Sequence, residues 1–332
     1  MIVDLEHHYS PPVQARGGVS IPAENERFWE VDSEMRLQMR LRSSDSRCNI
    51  DRHLWFMDEA GIDVAVMTGH GYQRSLEEQR RWHDACAQAV RDHPKRFVGF
   101  AGLKPLGGES AIKELERAVK ELGMKGVQIS ARLEGRTLDS RELWPFYEKV
   151  SELGIPIDVH IATEAPGFDA LHAPWGLYYV MMREYDISAT VFRLCFGGVL
   201  EAFPNLVFIV NHFGGGVSAV KERMDYYVET CGSSLWSNPD KPLISKPWNE
   251  YFDKLYFSMG GRGPGMATVK CALTNISPRK MMFATDWPSN YENDPQEAKR
   301  YIEEIRKLDL PKDDIEAMLG GNAAKLLGLP AA

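Results

Sequence analysis

No stretch of the sequence carries the roughly 18 uninterrupted apolar residues of a membrane span, which excludes a helical integral membrane protein. Cysteine is scarce and unpatterned. Cys48, Cys86, Cys195, Cys231 and Cys271 are odd in number and form no CxxC, which argues against a disulfide framework or a thiolate zinc site. They read as structural thiols in a reducing compartment. A basic excess is missing too: 39 Lys and Arg against 47 Asp and Glu leave a net charge of −8, so no nucleic-acid surface is expected. A few local cations still suffice for an anionic substrate. The N-terminus has no basic segment leading into an apolar one, so no signal peptide is expected, and a cytoplasmic chain is. Internal repeats, low-complexity tracts and linkers are absent. So is a GxGxxG after the first strand, which weakens any dinucleotide-binding open sheet.

What the sequence does contain is an alternation. Hydrophobic residues make up 44% and charged residues 26%, enough apolar material for a large core. Short apolar runs recur as IVDL (2–5), IDVAVM (62–67), RFVGFA (96–101), KGVQI (125–129), IPIDVH (155–160), LVFIVNH (206–212), KLYFS (254–258) and KMMFAT (280–285). Most are near-continuous in hydrophobicity, the pattern of parallel strands covered on both faces. Between them lie amphipathic stretches such as SLEEQRRWHDACAQAVRDH, ESAIKELERAVKELG, DPQEAKRYIEEIRKL and DSRELWPFYEKVSELG, the last with Asp139 as its cap. Eight strands alternating with helices predict an α/β fold, a single-domain (β/α)8 TIM barrel over residues 1–332, with an open doubly wound sheet as the alternative. Long insertions at 9–50, after strand one, and at 161–184, after strand five, fall where barrel active sites are built.

Polar residues gather at one end of these strands. Strand one runs into Glu6, His7 and His8, strand five ends at His160, strand six at His212 before three glycines, and strand eight at Asp286. Strict alternation puts Asp4, Glu6 and His8 on one face and Leu5 and His7 on the other. Each residue alone has an ordinary alternative: ExH in a surface turn, His160 bonded to backbone in the core, Asp286 capping the next segment. Carboxylates and imidazoles converging from several strand ends suit a divalent metal instead. Glu6, His8, His160 and Asp286 are the expected ligands of one Mn2+ or Zn2+ ion per chain. Strand four carries Lys125 at its start and no lysine at its C-terminal end, so a carbamylated bridging lysine and a second metal are not expected.

Taken together, the Glu6-x-His8 pair, His160, His212-x-Gly-Gly and Thr285-Asp286-Trp287-Pro288 resemble the motifs of the amidohydrolase superfamily. More narrowly, they look like its decarboxylases, typified by aminocarboxymuconate semialdehyde decarboxylase and the hydroxybenzoate decarboxylases. The terminal GNAAKLLGL is similar to the family's last helix. Two positions depart from the pattern. Glu6 stands where most members have a first histidine, which resembles the 5-carboxyvanillate and γ-resorcylate decarboxylases and favours Mn2+. HFGGG lacks the acidic residue that those aromatic decarboxylases carry after the strand-six histidine, and is closer to the aminocarboxymuconate enzyme.

The resemblance implies metal-dependent, non-oxidative decarboxylation of a small, planar, anionic acid. It makes Asp286 the acid that protonates the ring carbon, His212 the base, and Arg52 and Arg223 the cations that bind substrate. Arg223 would reach the neighbouring subunit's site in a homodimer or larger assembly; solvated helix faces are the alternative for both arginines. Phe168, His172, Trp175, Tyr178 and Tyr179 form an aromatic group in the second insertion, either a lid over a ring or a subunit contact, and Trp287 is a further candidate for ring contact. A hydrolase (lactonase or ring-opening amide or ester hydrolase) or a hydratase is the alternative activity. A binding protein with a degenerate site is a third reading, against which the intact set of strand-end ligands argues.

Overall fold

The structure, a computed structural model, describes residues 1–11, 46–69, 75–162, 165, 177–231, 242–260, 265–291 and 294–330. The apolar runs become β1 (Val3–His8), β2 (Val64–Thr68), β3 (Phe97–Gly102), β4 (Gly126–Ser130), β5 (Ile157–His160), β6 (Phe208–Val210), β7 (Tyr256–Ser258) and β8 (Met281–Met282). They form one eight-stranded sheet in chain order, with every neighbour parallel. The first strand meets the last: Leu5 N donates to Phe283 O at 3.0 Å, and His8 N donates to Trp287 O at 2.7 Å. The result is a (β/α)8 barrel, not an open sheet.

The crossovers are α1 (Ile50–Ala60), α2 (Leu76–Asp92), α3 (Gly108–Lys120), α4 (Trp144–Leu153), α5 (Arg183–Phe196), α6 (Ser218–Cys231), α7 (Met266–Ala272) and α8 (Pro295–Arg306). Their ends follow local chemistry. Ser75 and Glu78 close a capping box on α2, Asp294 caps α8 ahead of Pro295, and Gly61 and Gly154 end α1 and α4 in the left-handed region. The expected Asp139 cap is replaced by Ser140, whose hydroxyl accepts from Glu142 N at the start of a short 3-10 turn. Asp139 pairs with Arg193 instead. No helix among the described residues is long and apolar enough to cross a membrane.

Alternation along the strands sorts two apolar layers. Ala65, Met67, Phe97, Val127, Val159, Val210 and Phe257 face the helices. Val3, Leu5, Val66, Phe100, Ile209 and Met282 fill the lower lumen, with Ala323 and Leu327 of the C-terminal helix Asn322–Leu327 packed against them as a floor. Above that floor the lumen turns polar: Glu6, His8, Gln128, Asp158, His160 and Ser258 are all buried. Apolar filling below and functional groups above the C-terminal strand ends is the division of labour this barrel permits.

Strict alternation fails on β1. Val3 and Asp4 pair with Val64 and Ala65, but His7 and His8 pair with Met67 and Thr68, a one-residue register shift. This bulge turns Leu5 and Glu6 to the same side. Asp4 therefore parts from Glu6 and His8 and joins His7, whose Nδ1 lies 2.9 Å from Asp4 Oδ2. The second predicted insertion is also partly regular, since the chain is already helical at Tyr178–Met182, leading into α5. Most of the first insertion lies outside the described residues.

Candidate metal centre

Glu6, His8 and His160 each present one ligand atom, and these atoms lie within 4.8 Å of one another. Glu6 Oε1 is the hub. His160 Nε2 stands 3.6 Å from it, His212 Nε2 3.7 Å and His8 Nε2 3.9 Å. Donors bound at roughly 2.0–2.2 Å around one ion are separated by distances of this size. Asp286 stands beside this group, with Oδ1 2.8 Å from His8 Nε2. All five residues are buried.

Local structure aims each donor. Ser258 Oγ donates to Glu6 Oε2 at 3.1 Å, and a Cβ on Gly260 would come within 2.4 Å of the same oxygen, so only glycine leaves the carboxylate its place. His160 Nδ1 lies 3.1 Å from the Ile161 carbonyl. A carbonyl only accepts, so Nδ1 carries the proton and Nε2 keeps its lone pair for the lumen. Burial, then the charges of His8, His212 and Arg183, hold His160 well below the usual imidazole range, in the neutral form a ligand needs. Thr68 Oγ1 orients His8 through Nδ1 at 3.1 Å.

His212 and Asp286 sit on strained backbone, at φ +52° and +57°. Burial alone would depress His212, but the Glu184 carboxylate 2.8 Å from Nδ1, and then Glu6, raise it well above the ordinary value. Burial likewise opposes ionisation of Asp286, yet the His8 hydrogen bond and the charges of His8, His212 and Arg47 hold its carboxyl below the usual range. One layer down, Gln128 Nε2 donates to Asp158 Oδ2 at 2.8 Å, and burial followed by the Glu6 charge pushes Asp158 well up.

The donor set fits a divalent cation. Glu6 Oε1 and His212 Nε2 are buried without a hydrogen-bond partner among the described residues. Acidic oxygens and the neutral imidazole nitrogen of His160 converging in a desolvated space are what such an ion compensates.

The other expected site residues fall elsewhere. Trp287 is fully buried between His7 (ring centroids 4.8 Å, stacked) and Phe56 (5.2 Å, stacked), so it packs behind the site and offers no face to a substrate ring. Tyr178 is also fully buried, its hydroxyl accepting from Ala165 N at 2.5 Å. Phe168, His172, Trp175 and the Tyr179 side chain lie outside the described residues. Arg52 lies 4.4 Å over the Trp55 ring on α1, and Arg223 is exposed on α6, 5.2 Å over the Tyr227 ring, rather than among the buried cluster of its own chain. Glu184 and Arg47 had no signal in the sequence: each is one more charged residue in a polar segment until the fold brings it to His212 or Asp286.

A family model described as Amidohydrolase matches residues 3–329. The chain belongs to the amidohydrolase family. Among its family relatives, it is 28% identical over 299 residues to a 2-amino-3-carboxymuconate-6-semialdehyde decarboxylase of Dictyostelium discoideum, covering 87% of this chain and 79% of that protein. It is 28% identical over 263 residues to a gamma-resorcylate decarboxylase of a Polaromonas species, covering 73% and 77%. In architecture it is similar to a dihydroxybenzoic acid decarboxylase of Polaromonas solved with bound manganese and the inhibitor 2-nitroresorcinol, at a TM-score of 0.79 and 24% identity, covering 100% of this chain and 98% of that one.

Proposed function

We propose that this amidohydrolase-family protein is a metal-dependent, non-oxidative decarboxylase of a small aromatic, hydroxybenzoate-like acid or a carboxymuconate-type acid. The observation that carries the reading is the buried Glu6, His8 and His160 donor group with Asp286 and His212 against it. The decarboxylase names of its relatives support the reaction class.

Glu6, His8 and His160 would hold one Mn2+ or Zn2+ per chain, with Asp286 as the fourth ligand beside His8. When bound, such an ion orients a carboxylate and a neighbouring oxygen and draws negative charge toward itself. The remaining work falls to the chain. Turnover breaks the bond between carbon and carboxylate, releases CO2 and forms a C–H bond, so it consumes one proton. Asp286 is the group assigned to deliver it. His212, held by Glu184 at Nδ1 and facing Glu6 through Nε2, is the group assigned as the base that positions a water or a substrate hydroxyl. We place the protein in the cytoplasm, consistent with the free thiols at Cys48, Cys86, Cys195 and Cys271, and working as a homodimer or larger assembly. Arg223 would then face a partner's site.

Metal analysis of purified protein, followed by CO2 release from a panel of hydroxybenzoates and carboxymuconates, tests the reading. About one metal per chain with CO2 release supports it. One metal with no CO2 release across the panel removes the decarboxylase and directs the search to lactones and amides. Protein that takes up no Mn2+ or Zn2+ removes the metal centre itself.

A further inference from the structure

The sequence His212-Phe-Gly-Gly-Gly216 folds as a left-handed turn: φ is +52°, +56°, +66°, +63° and +79° at successive residues. Glycine adopts this conformation freely, but each non-glycine residue in it costs about 1–2 kcal/mol, so His212 and Phe213 must be held by their surroundings. The holder is the start of α5. Ser188 Oγ lies 2.9 Å from Gly214 O and 2.7 Å from Gly215 O, hydrogen-bonding to the turn's carbonyls. The two segments are in closest approach at Gly215, where a Cβ would meet Glu184 O at 1.9 Å and Ile187 Cγ2 at 2.4 Å. From its other side α5 is anchored by the buried Asp186, which pairs with Arg132 beyond β4 at 2.7 Å.

Glu184 and Ser188 are four residues apart and so share a face of α5. Ser188 grips the backbone of the turn, and Glu184 Oε1 reaches His212 Nδ1 at 2.8 Å. A carboxylate accepts, so Nδ1 carries a hydrogen whatever the charge of the ring, and Nε2 is turned toward Glu6 Oε1. None of Phe213, Gly214, Gly215 and Gly216 has a polar side chain that could do this. At Gly215 any side chain would collide with α5.

We propose that Glu184 is the positioning residue of His212, an acidic partner supplied from α5 because the glycine turn that carries the histidine has no polar side chain and is packed against α5 at Gly215. Glu184 touches no donor of the metal group; it acts through His212. This deepens the decarboxylase reading, on which its kinetic consequence rests. Its structural consequence, the fixed ring of His212, does not depend on that reading.

The test uses the metal-loaded full chain with Glu184→Gln, which keeps an acceptor, and Glu184→Ala, which does not. For Glu184→Ala we expect kcat to fall about 10- to 100-fold, the range typical of lost partners to site histidines. KM should stay within about twofold and metal content at the wild-type value, with Glu184→Gln recovering part of kcat. In 15N-histidine spectra of the zinc-loaded protein, the His212 ring signals, identified by their loss in His212→Asn, should show a hydrogen-bonded Nδ1–H in wild type and lose it in Glu184→Ala. Unchanged kcat and unchanged ring signals in Glu184→Ala would overturn the proposal. So would a fall in activity that merely tracks lost metal. If wild type turns over none of the panel, the decarboxylase reading fails while the spectra still decide the role of Glu184.

Discussion

Glu6 Oε1 and His212 Nε2 face each other across 3.7 Å in the upper lumen, and neither has a hydrogen-bond partner among the described residues. A buried polar atom without a partner costs about 1–3 kcal/mol, so native structures keep few of them. A divalent ion held by Glu6 would offset that cost.

Metal binding should therefore stabilise the fold. At a free metal concentration of a hundred times its Kd, one site contributes about 2.7 kcal/mol. Calorimetric melting of chelator-treated protein titrated with Mn2+ or Zn2+ should show a rising midpoint. The rise should vanish in Glu6→Gln, His8→Ala and His160→Ala, together with the bound metal. An unchanged midpoint and stoichiometry in any of these would remove that residue from the ligand set.

Asp286 stands 2.8 Å from His8 Nε2 and is assigned both a place on the metal and the proton delivery. Asp286→Asn is expected to lower kcat by about 10²- to 10⁴-fold, the ordinary range for a group that moves a proton. Its metal content should fall less than that of His160→Ala, because asparagine keeps an oxygen donor. Steady-state kinetics with elemental analysis of the same samples decides it; substantial activity in Asp286→Asn would end its assigned role.

Gly215→Ala and Gly216→Ala should differ in stability although both positions have positive φ, +63° and +79°. A Cβ at Gly216 meets nothing within 4 Å, so only the backbone cost of about 1–2 kcal/mol applies. At Gly215 the clash with Glu184 O adds a steric cost of about 1–3 kcal/mol. Urea unfolding of the two variants gives the comparison directly. Equal midpoints would mean that α5 yields easily, contrary to close fitting of helix and turn.

Acid should act on a second buried network, between α2 and α3. Glu114 lies 2.7 Å from His83 Nδ1 and 2.8 Å from Arg117 Nη2. Burial raises its carboxyl, but His83 and Arg117 outweigh this and bring it from 4.5 to about 2. A folded value below the unfolded one gives stability that is fully present above about pH 4.5 and lost as pH falls toward 2. The difference is worth on the order of 3 kcal/mol. Glu114→Gln should flatten the stability curve over that window in urea titrations; an unaltered slope would contradict the pairing.

Much of the fold was legible in the chain. Continuous apolar runs such as RFVGFA and IPIDVH fit parallel strands buried on both faces. The helical stretches between them fit a barrel or an open doubly wound sheet, of which the structure shows the barrel. Because strand ends point one way in such a barrel, Glu6, His8, His160, His212 and Asp286 could be grouped from their places in the sequence. Other features were decided by long-range packing, which local patterns do not encode. The β1 bulge depends on the register against β2 and moves Asp4 away from Glu6. Trp287 directly follows Asp286, yet it is buried against His7 and Phe56, because the chain turns through the left-handed region at Asp286 and Trp287 bridges to His7 on β1. Glu184 is 28 residues from His212, and only the docking of α5 onto a left-handed glycine turn brings its carboxylate to the ring. The sequence by itself determined which groups could meet at the barrel mouth, since hydrophobic patterning sets strand direction and end. The tertiary structure decided which of them do meet, and with which partners, since that depends on register, bulges and helix docking.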